Sequence, residues 1–404
     1  MGVTSSIVIV GGGAAGLTLA TVLAAAPQAA RGGARVVVVE RDWARVRRRR
    51  WSYWTDEGDD DPFAALAERT WARLRLVDGD GELLLPLERY RYRTVRGEAL
   101  VTQLDGLAGV ERVDGAVAEV VDGAEGARVL LDDGRALDAA WVLDARPATI
   151  ALGGPPSAPR LTQRFWGLVL EADRDAFDAG AVTLFDLRPS QGEAFRFGYV
   201  LPLGERHALV ELVTTAPAHA RDRLAPDAAL AAWLVEAFGA LEAHVHDDEQ
   251  GASLLTARRF RRRAGARHLR VGVAGGRIQP SSGYGFRRAL EDARAIARSL
   301  ARRGHPFALP RARLRDRLLD AVLLEVLAHE PARAAPIFSR MLRRNPIERV
   351  LRLLDGRAGW REILAVAASL PPWPFVVGLA RHTARALRLL RAPPPRPALP
   401  PPGS

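Results

Sequence analysis

"VIVGGGAAGLTLA", residues 8–20, decides the fold. Ile7 to Val10 predict a short buried strand and Leu17 to Ala25 a helix, with Gly11, Gly13 and Gly16 spaced G-x-G-x-x-G between them. These glycines permit a tight turn, close approach of the backbone to a pyrophosphate, and close helix–strand packing. The helix start, at Ala14 and Ala15, offers N–H groups and a positive dipole end. A second apolar run, Val36 to Val39, ends in Glu40, placed to accept hydrogen bonds from a ribose hydroxyl, with Arg41 beside it. The glycine triplet alone is a weak signal; the strand, helix and terminal acid together predict a dinucleotide site. The insert "AAAPQAARGGAR" is expected to lengthen the loop before the second strand.

The motif's place at the start of a long chain favours FAD over NAD. A second stretch supports FAD: "LRVGVAGGRIQPSSGYGFRRALEDARAIARSL", residues 269–300, predicts a strand, a glycine-rich loop and a helix from about Gly283. Gly275, Gly276, Pro280, Gly283 and Tyr284 shape that loop. Such a helix points its positive end at the pyrimidine edge of a flavin, where the reduced form carries its negative charge.

The 404 residues are enough for more than one domain, and 48% hydrophobic with 26% charged residues is ordinary for a globular protein. There is no cysteine, and all 58 basic residues are arginine. Disulfides, thiolate nucleophiles, P-loop lysines and Schiff-base lysines are therefore excluded. The net charge of +11 favours anionic partners, yet no nucleic-acid motif accompanies it, so solvated surface and a membrane-facing patch are expected. Glycines interrupt the apolar start, and prolines at 371, 372 and 374 break "EILAVAASLPPWPFVVGLA", so no transmembrane helix is expected.

The predicted fold class is α/β: a Rossmann-type FAD-binding domain, a β-rich substrate domain and a helical C-terminal region. The FAD domain is discontinuous, 1–50, 96–155 and 268–304; the substrate domain takes 51–95 and 156–267. Residues 305–392 carry helical apolar spacing, and the proline-rich 393–404 is expected to be disordered. "RVLLDDGRALDAAWVLDARP", 128–147, predicts a hairpin through Asp132–Asp133–Gly134 and then a strand, Trp141 to Asp144.

One acid is out of place. In "GYVLPLGERHALVELVTT", 198–215, Glu211 stands among Leu209, Val210, Leu212 and Val213 in an otherwise apolar strand. Burying an ionised carboxylate costs several kcal/mol, on the order of the worth of a whole fold's margin, unless it is paired or neutralised. Apolar neighbours raise its pKa, and a carboxyl kept protonated near neutral pH donates protons. A satisfied structural glutamate is the other reading. Two further clusters are less specific. "HVHDDE", 244–249, holds possible metal ligands without a supporting pattern, so a solvated loop and no metal are expected. "RRFRRR", 258–263, is expected to be a solvated basic face, and Arg47 to Arg50 lie near enough to the motif to touch a pyrophosphate.

Several stretches in order resemble one family, the FAD-dependent lycopene cyclases of bacterial and plant type. They are "VIVGGGAAGLTLA" at 8–20, "RRRWSYWTDEGDDDPFAAL" at 48–66, "RYRTVRGEAL" at 91–100, "DAR" at 144–146 and "AVTLFDLR" at 181–188. Then come "FGYVLPLGERHALVEL" at 197–212, "GVAGGRIQPSSGYGFRRA" at 272–289, "RRNPIERVLRLLDG" at 343–356 and "SLPPWPF" at 369–375. In the family Glu211 falls in an acidic motif whose glutamate is held to be essential, which favours the proton-donor reading. Leu212 stands where the family's second acid is usual, and Pro147 where a glycine usually follows Arg146.

The resemblance implies acid-initiated closure of a beta-type ring on lycopene or a related acyclic polyene, with no net redox change. Reduced FAD would stabilise the carbocation, with NADPH or NADH as reductant, although no second nucleotide motif is visible. Aromatic faces would add cation–π attraction, and Trp51, Tyr53, Trp54, Tyr199 and Phe286 are the candidate substrate-lining residues, with Tyr284 beside them. It also implies a cytoplasmic protein on the inner membrane face, where "WPFVVGLARHTARALRLLRA", with Arg381, Arg385, Arg388 and Arg391, would meet anionic lipid. Other readings are an FAD monooxygenase, a prenyl-chain reductase, or a non-catalytic carotenoid- or lipid-binding flavoprotein.

Overall fold

A computed structural model describes residues 6–153, 156–217 and 226–391. Five parallel strands form the first sheet, in the order His268–Arg270, Trp141–Asp144, Ser6–Val10, Arg35–Glu40, Val110–Asp114. Val36, Val38, Ile7, Ile9 and Leu143 bury one face against the helices Ala14–Ala25, Gly97–Asp105 and Phe286–Arg303. The other face, Val8, Val10, Val37, Val39 and Val142, is covered by a three-stranded antiparallel sheet over 117–139. Both faces are covered, so these strands are runs of Val and Ile rather than alternations. The hairpin of that small sheet turns through Gly134 at φ +88°. The insert before the second strand folds as a single turn, Gln28–Arg31, closed by Gly32 and Gly33 at φ +64° and +76°.

A seven-stranded sheet runs Ala243–Leu255, Leu161–Ala172, His207–Pro217, Phe195–Pro202, Val182–Asp186, Arg73–Asp78, Gly81–Pro86. Neighbouring strands are antiparallel except Val182–Asp186 beside Arg73–Asp78. Its outer face is packed by the helix Pro226–Phe238 through Leu230 and Trp233. Its inner face meets the helices of the C-terminal region, Leu314–His329 and Ala334–Arg344 among them. A small sheet, Arg50–Asp56, Tyr90–Arg96 and Ala67–Trp71, lies between the two large ones: Tyr53 and Val95 pack in the core of the first, Trp54 and Tyr92 in that of the second.

Three expectations need correction. The late helix begins at Phe286, because Gly283 at φ +79° and Gly285 as N-cap hold the preceding residues outside it. Residues 244–249 are not a loop but part of the edge strand Ala243–Leu255, whose outward side is wet and therefore polar. Arg262 is no free surface cation: it donates to both carboxylate oxygens of Asp292, at 2.9 and 2.7 Å. The proline-rich tail, 393–404, lies outside the described residues.

Candidate functional site

The glycine motif closes on itself. Gly11 takes φ +102°, and a Cβ on Gly16 would lie 1.9 Å from the Gly11 carbonyl oxygen, so only glycine lets the helix start that close to the strand. Over Gly13 there is open space: no atom lies within 4 Å of where its Cβ would be. The helix Ala14–Ala25 begins there with no side-chain cap and no acid in its first turn. Its first N–H groups are thus left for an anion. Glu40 accepts from the backbone N–H of Gly12 at 2.7 Å, Arg41 at 2.9 Å and Asp42 at 3.0 Å. These bonds hold the loop; a carboxylate has about four acceptor sites, so one remains for a ribose hydroxyl.

The second glycine segment packs onto the first. Gly272, at φ +56°, sits where a Cβ would come 2.4 Å from that of Ala15. Gly275 lies against the Arg270 carbonyl and Gly276 against the Phe260 ring. Gly283 meets the Gln163 amide from the seven-stranded sheet, and Pro280 is half-buried between them. The helix Phe286–Arg303 also starts uncapped and without an acid in its first turn. Two bare helix N-termini and the open cradle at Gly13 fit a dinucleotide cofactor of the FAD type. At the end of the parallel strands, Asp144 is fully buried and accepts from the Arg146 guanidinium at 2.9 Å, with His268 at 3.3 Å. Burial alone would raise its carboxyl; the bonds from His268 and Arg146 outweigh that and hold it below the usual range.

Glu211 lies in the middle of the inner face of the seven-stranded sheet. Cross-strand register places Tyr199, Glu211, Gly167 and Glu249 in one row across four strands. Gly167 leaves a gap that the acid fills: a Cβ there would lie 2.6 Å from Glu211 Cγ and 3.3 Å from its Oε1. Among the described residues, no protein donor bonds the Glu211 carboxyl. Burial, and next the like charge of Glu249, push it up to about 8, while Arg49 pulls it back. Glu249 is raised as well, by burial first, against the pull of Arg49 and Arg50. Its Oε1 lies 3.6 Å from Arg49. The two carboxyls compete, so the one without a cation at contact distance holds its proton to the higher pH.

Beside the acid stands a cluster of aromatic residues. The hydroxyl of Tyr92 is 2.9 Å from those of both Tyr199 and Tyr284. Trp54 meets Tyr284 edge-on, with ring centroids 4.4 Å apart. Burial raises Tyr199 and Tyr284, and the Glu211 charge adds to it, so all three phenols stay protonated.

The structure therefore gathers Trp54, Tyr199 and Tyr284 near Glu211. Tyr53 and Phe286 line a small cavity together with Trp54 and Tyr284, and reach the acid's surroundings only through those two. Tyr53 stacks on Phe286 at 4.7 Å and bonds Asp61, inside the core of the parallel sheet, and Trp51 packs on the same side. The strand Arg50–Asp56 has period two, so Tyr53 and Trp54 cannot share a face. Leu212 points outward, into the core under Trp233. An acid at that position would be buried on the far side of the sheet from Glu211. Tyr92, Gly167, Arg49 and Glu249 are residues the sequence did not single out for this site.

A family model described as lycopene cyclase protein matches residues 6–379. No curated protein sequence matches the chain. Among solved structures, a geranylgeranyl bacteriochlorophyll reductase-like protein from Thermoplasma acidophilum is similar at 13% identity. It covers 93% of this chain and 98% of that one, with a TM-score of 0.59. The flavin-dependent brominase Bmp2 is similar at 17% identity over 94% of this chain and 99% of its own, TM-score 0.59. A flavoprotein/dehydrogenase from Cytophaga hutchinsonii gives 12% identity, 95% and 99% coverage, and TM-score 0.58. At these identities the likeness is one of fold: an α/β flavoprotein architecture with a helical C-terminal part.

Proposed function

The chain belongs to the lycopene cyclase family, and from that premise we propose that it closes a beta-type ring on the end of lycopene or a related acyclic polyene, with Glu211 as proton donor. The observation that carries this reading is the carboxyl of Glu211, unbonded, raised to about 8 and facing a cluster of aromatic rings. The polyene end is a very weak base. Glu211, protonated near neutral pH, gives its proton to the terminal double bond, and the neighbouring double bond attacks the resulting cation. Loss of a proton from the ring then completes it, and no electron is gained or lost overall.

Trp54, Tyr92, Tyr199 and Tyr284 would face the cation with their rings, each worth about 1–2 kcal/mol when desolvated. The hydroxyls of Tyr199 and Tyr284 are both bonded to that of Tyr92, which fixes the three phenols relative to one another. FAD is the cofactor this reading needs, held by Gly11, Gly13, Gly16 and Glu40 and by the loop with Gly275, Gly276 and Gly283. When bound and reduced by NADPH or NADH, it supplies a fixed negative charge beside the cation, which a dry site makes far stronger than water would.

The test is expression in cells that accumulate lycopene, followed by pigment analysis and a flavin spectrum. Glu211→Gln keeps volume and fold, and ring formation should fall by at least about 10²-fold, since an amide supplies no proton. Glu211→Asp should lose most activity through withdrawal by one methylene. A flavin-loaded Glu211→Gln protein forming rings at near the unmutated rate would overturn the assignment.

A further inference from the structure

The C-terminal helices Leu314–His329, Ala334–Arg344, Ile347–Leu354, Trp360–Ser369 and Pro372–Arg391 enclose a cavity of about 440 Å³. That size falls in the range that takes a drug-sized ligand. Its walls are apolar, with Leu323, Phe338, Met341, Val366 and Phe375 among them. Gln279, Ser281 and Asp320 make a polar corner, and Asp316, paired with Arg315, is a further acid on the lining. Gln279 Nε2 donates to Ser281 Oγ at 2.8 Å and Asp320 Oδ1 at 3.0 Å, while its buried Oε1 has no partner. Burial pushes Asp320 up to about 7, against the pull of Arg288, so near neutral pH its carboxyl is divided between the neutral and charged forms.

The corner belongs to the same turn as the aromatic cluster. Gln279 N–H donates to the Tyr284 carbonyl at 2.9 Å, and the Tyr284 hydroxyl reaches Tyr92. One turn of chain thus touches the cavity with Gln279 and the surroundings of Glu211 with Tyr284.

At the other end the cavity opens through Leu318, Leu319, Val376 and Leu379, which line it and are also exposed. Around this mouth Leu314, Trp360, Leu364 and Trp373 stand out into solvent, Trp360 at 62% and Trp373 at 66% exposure. An exposed apolar rim with tryptophans is the composition of a surface that rests in a bilayer interface. Among the described residues no single helix is long and apolar enough to cross a membrane; Trp360–Ser369 and Pro372–Leu389 are apolar enough together but bend by 116°. That bend suits a segment that dips into one leaflet. Arg381 and Arg385 are taken up by Glu330 and Glu325, so they are not the cations that meet lipid; Arg311, Arg313, Arg361 and Arg388 are exposed.

We propose that this cavity binds the apolar chain of the substrate and that its rim rests on the lipid bilayer, so that the chain moves from membrane to protein without crossing water. The inference builds on the cyclase reading and supplies that reading's missing entry route. It does not depend on which acid gives the proton.

The experiment uses the full chain with diphenylhexatriene, an apolar rod whose emission rises when it leaves water. Wild-type protein should saturate with one probe per chain. Ala367 lines the cavity at an exposed helix position, so both Ala367→Trp and Ala367→Glu should fold. Each should raise the half-saturation concentration at least about tenfold, whereas Glu211→Gln leaves it unchanged. On vesicles of phosphatidylglycerol and phosphatidylcholine, Trp360→Glu with Trp373→Glu should lower the bound fraction at least about tenfold and leave probe binding intact. With vesicle-borne polyene, the Ala367 variants should raise KM more than they lower kcat. Probe binding insensitive to both Ala367 variants, or vesicle binding insensitive to the tryptophan pair, overturns the proposal. If the Ala367 variants close rings at unchanged KM while Glu211→Gln does not, the cavity assignment fails and the cyclase reading stands.

Discussion

Replacing Glu249 with glutamine should weaken the acid without touching it. Glu249 stands two strands from Glu211 in register, with Gly167 between them. Two strand spacings are roughly 10 Å. Unit charges at that separation interact by about 1.7 kcal/mol at an effective dielectric of about 20, equivalent to roughly one pK unit. Burial is the first cause of the Glu211 shift and survives the substitution. The carboxyl should thus fall by up to about one unit from its value of about 8 and stay above the ordinary carboxylate range. With Glu211 as the proposed donor the active form is protonated, so activity should be present at low pH and lost as pH rises through the pKa. The alkaline limb of the ring-formation profile should therefore move down by up to roughly one unit. At pH near 8 that is about a fivefold loss, and at pH near 6 almost none. The assay is product formed per flavin-loaded enzyme across that range, wild type against Glu249→Gln. An alkaline limb that stays in place, or moves up, refutes the coupling of the two carboxyls.

Two further substitutions bear on the architecture. Gly167→Ala should cut activity at least about tenfold with flavin retained, since its Cβ would occupy the space of the Glu211 side chain, 2.6 Å from Cγ; pigment analysis and the flavin spectrum decide it. Glu40→Ala should weaken FAD binding by roughly 1–3 kcal/mol, because it removes the acceptor that organises Gly12, Arg41 and Asp42 as well as any ribose bond; a flavin titration that shows unchanged affinity counts against the site.

Local signals made part of this legible. The glycine spacing, the valine runs and the acid ending the second strand act within about thirty residues, and each is visible as a pattern in the chain. Glu211 was legible for the same reason: a charge inside an apolar alternation is an anomaly on its face. Its partner was not. Glu249 sits in a polar run, and the run is polar because the edge strand Ala243–Leu255 is wet, which makes it resemble a loop. Only the pairing of Glu249 with Gly167 and of Gly167 with Glu211 brings the acids together, and strand pairing at that separation leaves no mark on either segment alone. Period two alone places Leu212 on the opposite face of its strand from Glu211. The cavity in the C-terminal helices is a matter of what five helices leave between them, and helical spacing gives their apolar sides without giving the gap.

The row through Gly167 also decouples two kinds of change. The proposed proton donor, Glu211, is on an interior strand, where almost any substitution disturbs packing on both sides. The residue that helps set its strength is on the edge strand, which has a neighbouring strand on one side only, although its side chain is itself largely buried beside Arg49. Acidity can therefore drift or be dialled by edits along residues 243–255 while the donor strand stays fixed. A protein engineer seeking a cyclase matched to a different pH would begin at that edge, with Asp247 and Glu249 as the settings to vary.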